Sequence, residues 1–163
     1  MSTRIAVVVF IAAITAANLL IAWLGPWVSP INAFLLIGLD LSLRDWLHDK
    51  WRGQMWRMGA LIATAGVLSY LLNPAAGRIA VASTAAFVLA SSVDALVYHR
   101  LIEMRWMVRA NGSNAAGAAT DSIAFPLIAF GAYPGVAVII ALQFAAKVAG
   151  GAVWSAAIAK FRR

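Results

Sequence analysis

Five ionisable residues interrupt long apolar runs of this sequence: Asp40, Arg44, Asp94, Asp121 and Lys147. A charge in the hydrocarbon of a bilayer costs at least about 2.5–3.5 kcal/mol, so such residues usually face a protein interior and mark function. Carboxylates accept hydrogen bonds, whereas lysine and arginine donate them. The set can therefore form internal ion pairs or bind a polar solute, and we treat all five as candidate binding residues.

Four-residue spacing places several polar side chains on shared helix faces. Arg44 follows Asp40 by one helical turn, and Lys147 follows Gln143 in the same way. Lys147 lies near the middle of its apolar run, so it needs a buried carboxylate, a polar ligand or the loss of its proton. Asp94 and Asp121 both remain open as the carboxylate partner of Lys147.

Uncharged polar residues accompany these charges inside the apolar runs. They are Asn18, Asn32, Ser122 and Gln143. A structural ladder of ion pairs explains Arg44, Asp45 and Asp49 as well as a binding role does. For Asp121 and Lys147 we favour the binding role, because a deeply buried charge is rarely kept for structure alone.

The apolar runs themselves indicate the class of protein. Hydrophobic residues make up 63% of the 163 residues, charged residues 12%, and the mean hydropathy is +0.85. A soluble domain holds roughly 25% charged residues. Since a spanning helix needs about 20 apolar residues, six spans would use nearly the whole chain. We predict an all-α integral membrane bundle in which residues 1–163 form one domain.

Glycine, proline, asparagine and charged residues divide the chain into six predicted transmembrane helices. The predicted helices cover residues 5–24, 31–47, 58–72, 79–101, 115–131 and 134–158. The third and fifth are short, and Pro126 interrupts the fifth. Such helices often border the substrate site of a transporter, and a plain proline kink is an equal alternative. Residues 111–114 (NGSN) are predicted to be a turn that caps the fifth helix.

Basic residues lie almost entirely on one predicted side of the membrane. That side holds Arg4, Lys50, Arg52, Arg57, Arg105, Arg109, Lys160, Arg162 and Arg163. The opposite loops hold only Arg78. The positive-inside rule then places both termini in the cytoplasm. This topology accounts for the net charge of +7 without a nucleic-acid partner.

Several kinds of chemistry have no support in the sequence. There is no cysteine, and His48 and His99 are not at metal-ligand spacing. No phosphate-binding glycine loop, nucleophile elbow or HExxH motif occurs. We therefore expect no metal, no cofactor and no enzymatic activity.

Small residues crowd the last two predicted helices. They include Gly117, Ala118, Ala119, Ala145, Ala146, Gly150 and Gly151. Small side chains let helices approach closely, so we expect tight packing inside the bundle. The same faces also suit a homodimer.

Four stretches, taken in order, resemble a known family. They read INAFLLIGLDLSLRDWLHDKWRG, LSYLLNP with RIAVAS, SSVDALVYHR and NGSNAAGAATDSIAFPLIAFG. This pattern resembles the VUT family of queuosine precursor transporters, from about Asn18 to the last helix. The ordered combination of LRDxLHDxW, VDALVY and DSxxFP is specific, whereas each motif alone is weak.

The resemblance implies a six-helix protein of the bacterial-type inner membrane, in a family also encoded by phages, that imports a 7-deazaguanine. The usual substrate of the family is 7-cyano-7-deazaguanine, a precursor of queuosine in tRNA or of modified DNA. Its ring offers N–H donors, a carbonyl, a nitrile and an aromatic face. The partners implied are this small molecule and the lipid bilayer.

Within the resemblance, each candidate residue acquires an expected role. Asp121 or Asp94 would accept hydrogen bonds from the ring. Donors to the carbonyl or nitrile would come from Gln143, Lys147, Asn18 and Asn32. Phe125, Phe130 or Phe34 would stack on the ring. Asp40 and Arg44 would line a central cavity, and residues 45–52 would form a cytoplasmic gate.

Two alternatives to a self-sufficient importer remain open. The chain can be the substrate-capture subunit of a vitamin-uptake system, which would depend on an ATPase partner. It can also be a structural or assembly membrane protein, in which the buried charges only set the helix register.

Overall fold

The computed structural model describes residues 2–51 and 54–159, apart from some side chains within the helices, and nearly all of these residues are helical. The helices are α1 (Thr3–Leu24), α2 (Ser29–Asn32, Ala33–Ile37 and Gly38–Lys50 without a break), α3 (Met55–Leu72), α4 (Ala76–Arg100), α5 (Trp106–Phe130) and α6 (Val136–Ala159). The described ranges contain no strand. The prediction of an all-α bundle is confirmed.

Four of the helical stretches are long and apolar enough to cross a membrane. They are Thr3–Leu24, Pro26–Arg44, Ala76–Arg100 and Val136–Ile158, with 19 to 25 residues each. α3 carries a shorter apolar stretch, Trp56–Leu72. Large apolar side chains such as Leu71 and Val81, each 69% exposed, lie on the outside of the bundle. Such a surface suits lipid tails rather than water, so the chain forms a membrane bundle.

Helix α2 begins earlier than predicted. Residues Pro26–Val28 form a 3₁₀ turn, and α2 follows directly from Ser29. The sequence interpretation took Ser29 and Pro30 as a break between helices, which was wrong. Proline is tolerated in the first turn of a helix, because the N–H it lacks has no intrahelical partner there. Ser29 and Asn32 are consequently buried in the bundle.

Residues 111–114 are helical rather than a turn, so the predicted cap of the fifth helix was wrong. α5 begins at Trp106, and the connection from α4 is the short segment 101–105. Ser113 is only 2% exposed, and a Cβ on Gly112 would lie 2.9 Å from Leu101 Cδ1. The packing of α5 against α4 thus overrides the weak helix propensity of Asn, Gly and Ser, which costs at most about 1 kcal/mol per residue.

Two apolar clusters organise the interior of the bundle. One joins α1, α2, α3 and α6 around Phe10, Leu47 and Met58. The other joins α1, α4 and α5 around Ile21 and Phe125. Polar residues of α1 such as Thr15 and Asn18 fall between the positions that contribute to the two clusters.

Helices α2 and α6 cross with their backbones in contact. A Cβ on Gly38 would lie 2.7 Å from the carbonyl carbon of Gly150, and a Cβ on Gly150 would collide with the backbone of Phe34. At this crossing the expected tight packing of small residues within the bundle is confirmed. The region of Phe34 is a π turn, Ala33–Ile37, and wide turns of this kind are frequent at functional sites.

The predicted cytoplasmic gate, residues 45–52, is described only in part: residues 45–50 are helical. Nothing is described of Arg52 or of the side chains of Asp45, His48 and Asp49. This gate therefore stays a prediction.

The predicted orientation can be measured because the chain holds no cysteine of its own. Ala132 and Glu103 are exposed in the connections after α5 and α4. If both termini are cytoplasmic, Ala132→Cys reacts with a membrane-impermeant thiol reagent in intact cells, and Glu103→Cys reacts only after the membrane is opened. The opposite labelling pattern would show that both termini lie outside the cytoplasm.

Candidate binding cavity

Lys147 of α6 is held by three oxygen atoms. Its Nζ donates to Asp121 Oδ2 at 2.5 Å, to Ser122 Oγ at 3.2 Å and to Gln143 Oε1 at 3.3 Å. The lysine side chain is only 4% exposed, whereas that of Asp121 is 25% exposed. The sequence left Asp94 and Asp121 open as partners of Lys147, and the structure selects Asp121.

A buried proline follows Asp121 and Ser122 in α5. Pro126 lies inside α5 and is fully buried. Since proline has no N–H, the backbone carbonyl of Ser122, four residues earlier, loses its helical donor. This carbonyl belongs to one of the two residues of α5 that hold the Lys147 amine.

A cavity opens between α1, α2, α4, α5 and α6 beside this ion pair. It contains about 360 Å³ of space between atoms, its mouth included, of which about 40 Å³ is open to the centres of water molecules. The latter is room for about three waters. The residues that line it are Ala17, Asn18, Ile21, Ser29, Asn32, Ala33, Ile37, Ser83, Asp121, Phe125, Gln143 and Lys147.

The lining is electrically balanced. Lys147 and Asp121 carry opposite charges and are in contact, while the other lining residues are uncharged. Burial of two charges is costly even when they pair, so this pair is weak evidence for stability. It does place a strong local dipole beside a cavity, which is suited to a polar, uncharged ligand.

Three buried polar atoms of the lining residues have no hydrogen-bond partner within residues 2–51 and 54–159: Ser29 Oγ, Asn32 Oδ1 and Gln143 Nε2. Their residues are 2–3% exposed. A buried polar group without a partner costs about 1–3 kcal/mol. Natural proteins rarely keep such groups unless they serve a function, so these atoms make the cavity a candidate binding site.

One wall of the cavity is aromatic. Phe125 is 8% exposed and packs edge-to-face on Phe130, with 6.1 Å between ring centroids. Phe130 packs in the same way on Tyr133 at 6.5 Å. These contacts hold Phe125 in place, and a fixed aromatic ring favours a flat ligand.

The structure brings many of the residues singled out in the sequence to this cavity. Asn18, Asn32, Asp121, Phe125, Gln143 and Lys147 line it, and Ser122 binds Lys147. Asn18 Nδ2 donates to Ser69 Oγ at 3.1 Å, which ties α1 to α3.

Asp40, Arg44 and Asp94 lie elsewhere in the described part of the bundle. Asp40 is 8% exposed on α2 and is not among the lining residues. The Arg44 guanidinium lies 5.4 Å from the centroid of the Phe87 ring. Asp94 packs on α5: a Cβ added to Gly117 would lie 3.3 Å from the Cβ of Asp94. A binding role for these three residues stays a prediction.

Two serines of the lining were missed by sequence reasoning. Ser29 was read as part of a loop because Pro30 follows it. Ser83 carried no signal of its own, because a serine inside an apolar helix usually bonds to its own backbone. The buried start of α2 can be anticipated only if Pro30 is read as a helix-starting residue rather than a helix break.

Comparison with known proteins supports a transport function. Searches of curated proteins and of solved structures gave no match. A family model, Vut_1, described as "Putative vitamin uptake transporter", matches residues 1–159. This match spans all six helices and every lining residue, and the chain thus belongs to the Vut_1 family.

Proposed function

We propose that this protein imports a 7-deazaguanine, with 7-cyano-7-deazaguanine as the first candidate, across a bacterial-type inner membrane. The ligand binds in the cavity between α1, α2, α4, α5 and α6. The observation that carries this proposal is the cavity itself, which combines the Lys147–Asp121 pair with buried polar atoms that have no partner in the described chain. The resemblance of four sequence stretches to queuosine precursor transporters supplies the choice of substrate.

The lining offers groups for the N–H donors, the carbonyl and the ring face of a deazaguanine. The Asp121 carboxylate accepts hydrogen bonds from the N–H groups of the ring, because a carboxylate has acceptor sites beyond the one that Lys147 uses. Gln143 Nε2 donates to a carbonyl oxygen. Phe125 supplies an apolar wall for the ring face.

The size of the cavity favours alternating access. Its volume of about 40 Å³ is far below the roughly 300–1,000 Å³ of small-molecule sites. A bicyclic ligand therefore requires the helices to separate, and an importer that works by alternating access moves its helices in this way to load and close its site.

Uptake tests the proposal directly. Cells that cannot make 7-cyano-7-deazaguanine and lack an importer accumulate the labelled compound when they express this chain. Purified chain in proteoliposomes takes up the label without an ATPase. Uptake in cells but not in proteoliposomes would indicate the substrate-capture subunit, and a folded chain with neither uptake nor binding would favour the structural protein.

A variant of the aromatic wall tests the location of the site. Phe125→Leu raises the KM for uptake by about tenfold, because stacking of a base on an aromatic ring is worth roughly 1–3 kcal/mol. Phe144→Leu is the matched control, since Phe144 of α6 is partly buried but does not line the cavity and does not pack on Phe125 in the aromatic cluster. Equal KM values for the two variants would remove Phe125 from the site.

A further inference from the structure

Lys147 has no donor left for a ligand. Its ammonium group carries three protons, and three acceptors surround it at 2.5–3.3 Å: Asp121, Ser122 and Gln143. Hydrogen bonds donated to a ligand must therefore come from other side chains of the cavity.

The partners of Gln143 fix the direction of its amide. Its Oε1 accepts from Lys147 Nζ, so the oxygen and nitrogen cannot be exchanged without placing two donors together. The Nε2 group remains buried and has no partner in the described chain. Gln143 thus presents a donor to the cavity.

Asn32 presents the opposite group. Its Nδ2 donates to the backbone carbonyl of Ala17 at 3.0 Å, which settles the orientation of this amide as well. The Oδ1 atom is buried and lacks a partner among the described residues. The sequence suggested Asn32 as a donor, whereas the structure gives it the role of acceptor.

We propose that the cavity selects uncharged ring lactams, in which a carbonyl oxygen accepts from Gln143 Nε2 and the adjacent ring N–H donates to Asn32 Oδ1. The two amides supply the one donor and the one acceptor that this edge requires, and both line the same cavity. A ligand with a net charge is disfavoured, because Lys147 and Asp121 already neutralise each other and the rest of the lining is uncharged. This inference deepens the proposed function and rests on it for the choice of probe.

A pair of ligands with the same ring and opposite edges tests the proposal. 7-Cyano-7-deazaguanine carries the lactam edge, whereas 2-amino-7-cyano-7-deazaadenine keeps the 2-amino group but carries an amine and a ring nitrogen acceptor at the positions of the lactam. The second ligand would set donor against donor at Gln143 and acceptor against acceptor at Asn32. Equilibrium binding to the purified protein in nanodiscs is expected to favour the lactam by about 10- to 100-fold.

Two substitutions test the roles of Gln143 Nε2 and Asn32 Oδ1. Gln143→Met removes the donor and keeps the shape, so it lowers the preference for the lactam by about tenfold while thermal unfolding shows a folded protein. Asn32→Leu removes the acceptor and lowers the preference for the lactam by a similar factor. Thr84→Ala, one residue beyond Ser83 and outside the lining, is the control and keeps the wild-type preference.

The outcomes separate this inference from the proposed function. We call the selection of uncharged ring lactams the lactam rule. Suppose that the deazaguanine does not bind, but that other uncharged ring lactams bind better than their aminopyrimidine and carboxylate counterparts. The lactam rule then stands, and the substrate assignment fails. If deazaguanine binds and the preference is absent, or is unchanged in Gln143→Met, the importer stands and the lactam rule is overturned. Absence of binding by every lactam to the folded protein also overturns the rule.

Discussion

Asp121→Asn abolishes import, whereas Asp94→Asn leaves it close to the wild-type rate. In the first variant the Lys147 amine, in a side chain only 4% exposed, loses the carboxylate that neutralises it. Removal of one partner of a buried ion pair costs about 3–5 kcal/mol, because the other charge remains buried and unpaired. Asp94 is a matched carboxylate on α4, away from the cavity-lining residues. The measurement is the initial rate of uptake, normalised to the amount of protein in the membrane.

A double variant separates stability from function at the same site. Lys147→Met alone is expected to be less destabilising than Asp121→Asn, since the carboxylate that it leaves unpaired is 25% exposed. Asp121→Leu combined with Lys147→Met recovers the melting temperature, because apolar replacement of a buried ion pair is often neutral or stabilising by about 1–4 kcal/mol. Import stays absent in the double variant, since the cavity has lost the Asp121 acceptor and the residue that holds Gln143.

Two results would contradict this account of the ion pair. Import by a well-folded Asp121→Asn protein at the wild-type rate would remove the pair from the site. Loss of import in Asp94→Asn but not in Asp121→Asn would make Asp94, the other carboxylate favoured by the sequence, the ligand acceptor.

The sequence predicted the class of the fold because transfer energies add up along the chain. Each run of about 20 apolar residues is favourable in a bilayer by itself, so the bundle of helices followed without knowledge of their contacts. The conformation of residues 111–114 was misjudged because helix propensity is local and weak. Packing against other parts of the chain decides the helical conformation of Gly112 and Ser113.

The site was partly predictable for a similar reason. Gln143 and Lys147 could be paired from the sequence because one helical turn separates them. The choice of Asp121 over Asp94 depends on how α5 and α6 are rotated against each other, which no local pattern encodes. The same holds for Asn32, whose role as an acceptor follows from a hydrogen bond to Ala17 on another helix.

The backbone contact between α2 and α6 links this packing to the cavity. Gly150 lies against Phe34, inside the π turn Ala33–Ile37, and the two ends of that turn, Ala33 and Ile37, line the cavity. A change in the crossing distance therefore displaces the wall of the site as well as the helices.

Gly150→Ala is expected to destabilise the protein and impair import, whereas Gly151→Ala does neither. The new Cβ at position 150 would collide with the Phe34 backbone, while at position 151 nothing lies within 4 Å. Overpacking of this kind typically costs about 1–3 kcal/mol, and a backbone atom has no rotamer to move away. Alanine at 151 improves helix propensity by up to about 1 kcal/mol. Thermal unfolding in detergent should therefore give shifts of opposite sign at adjacent positions, and equal shifts would mean that the α2–α6 crossing is looser than the structure shows.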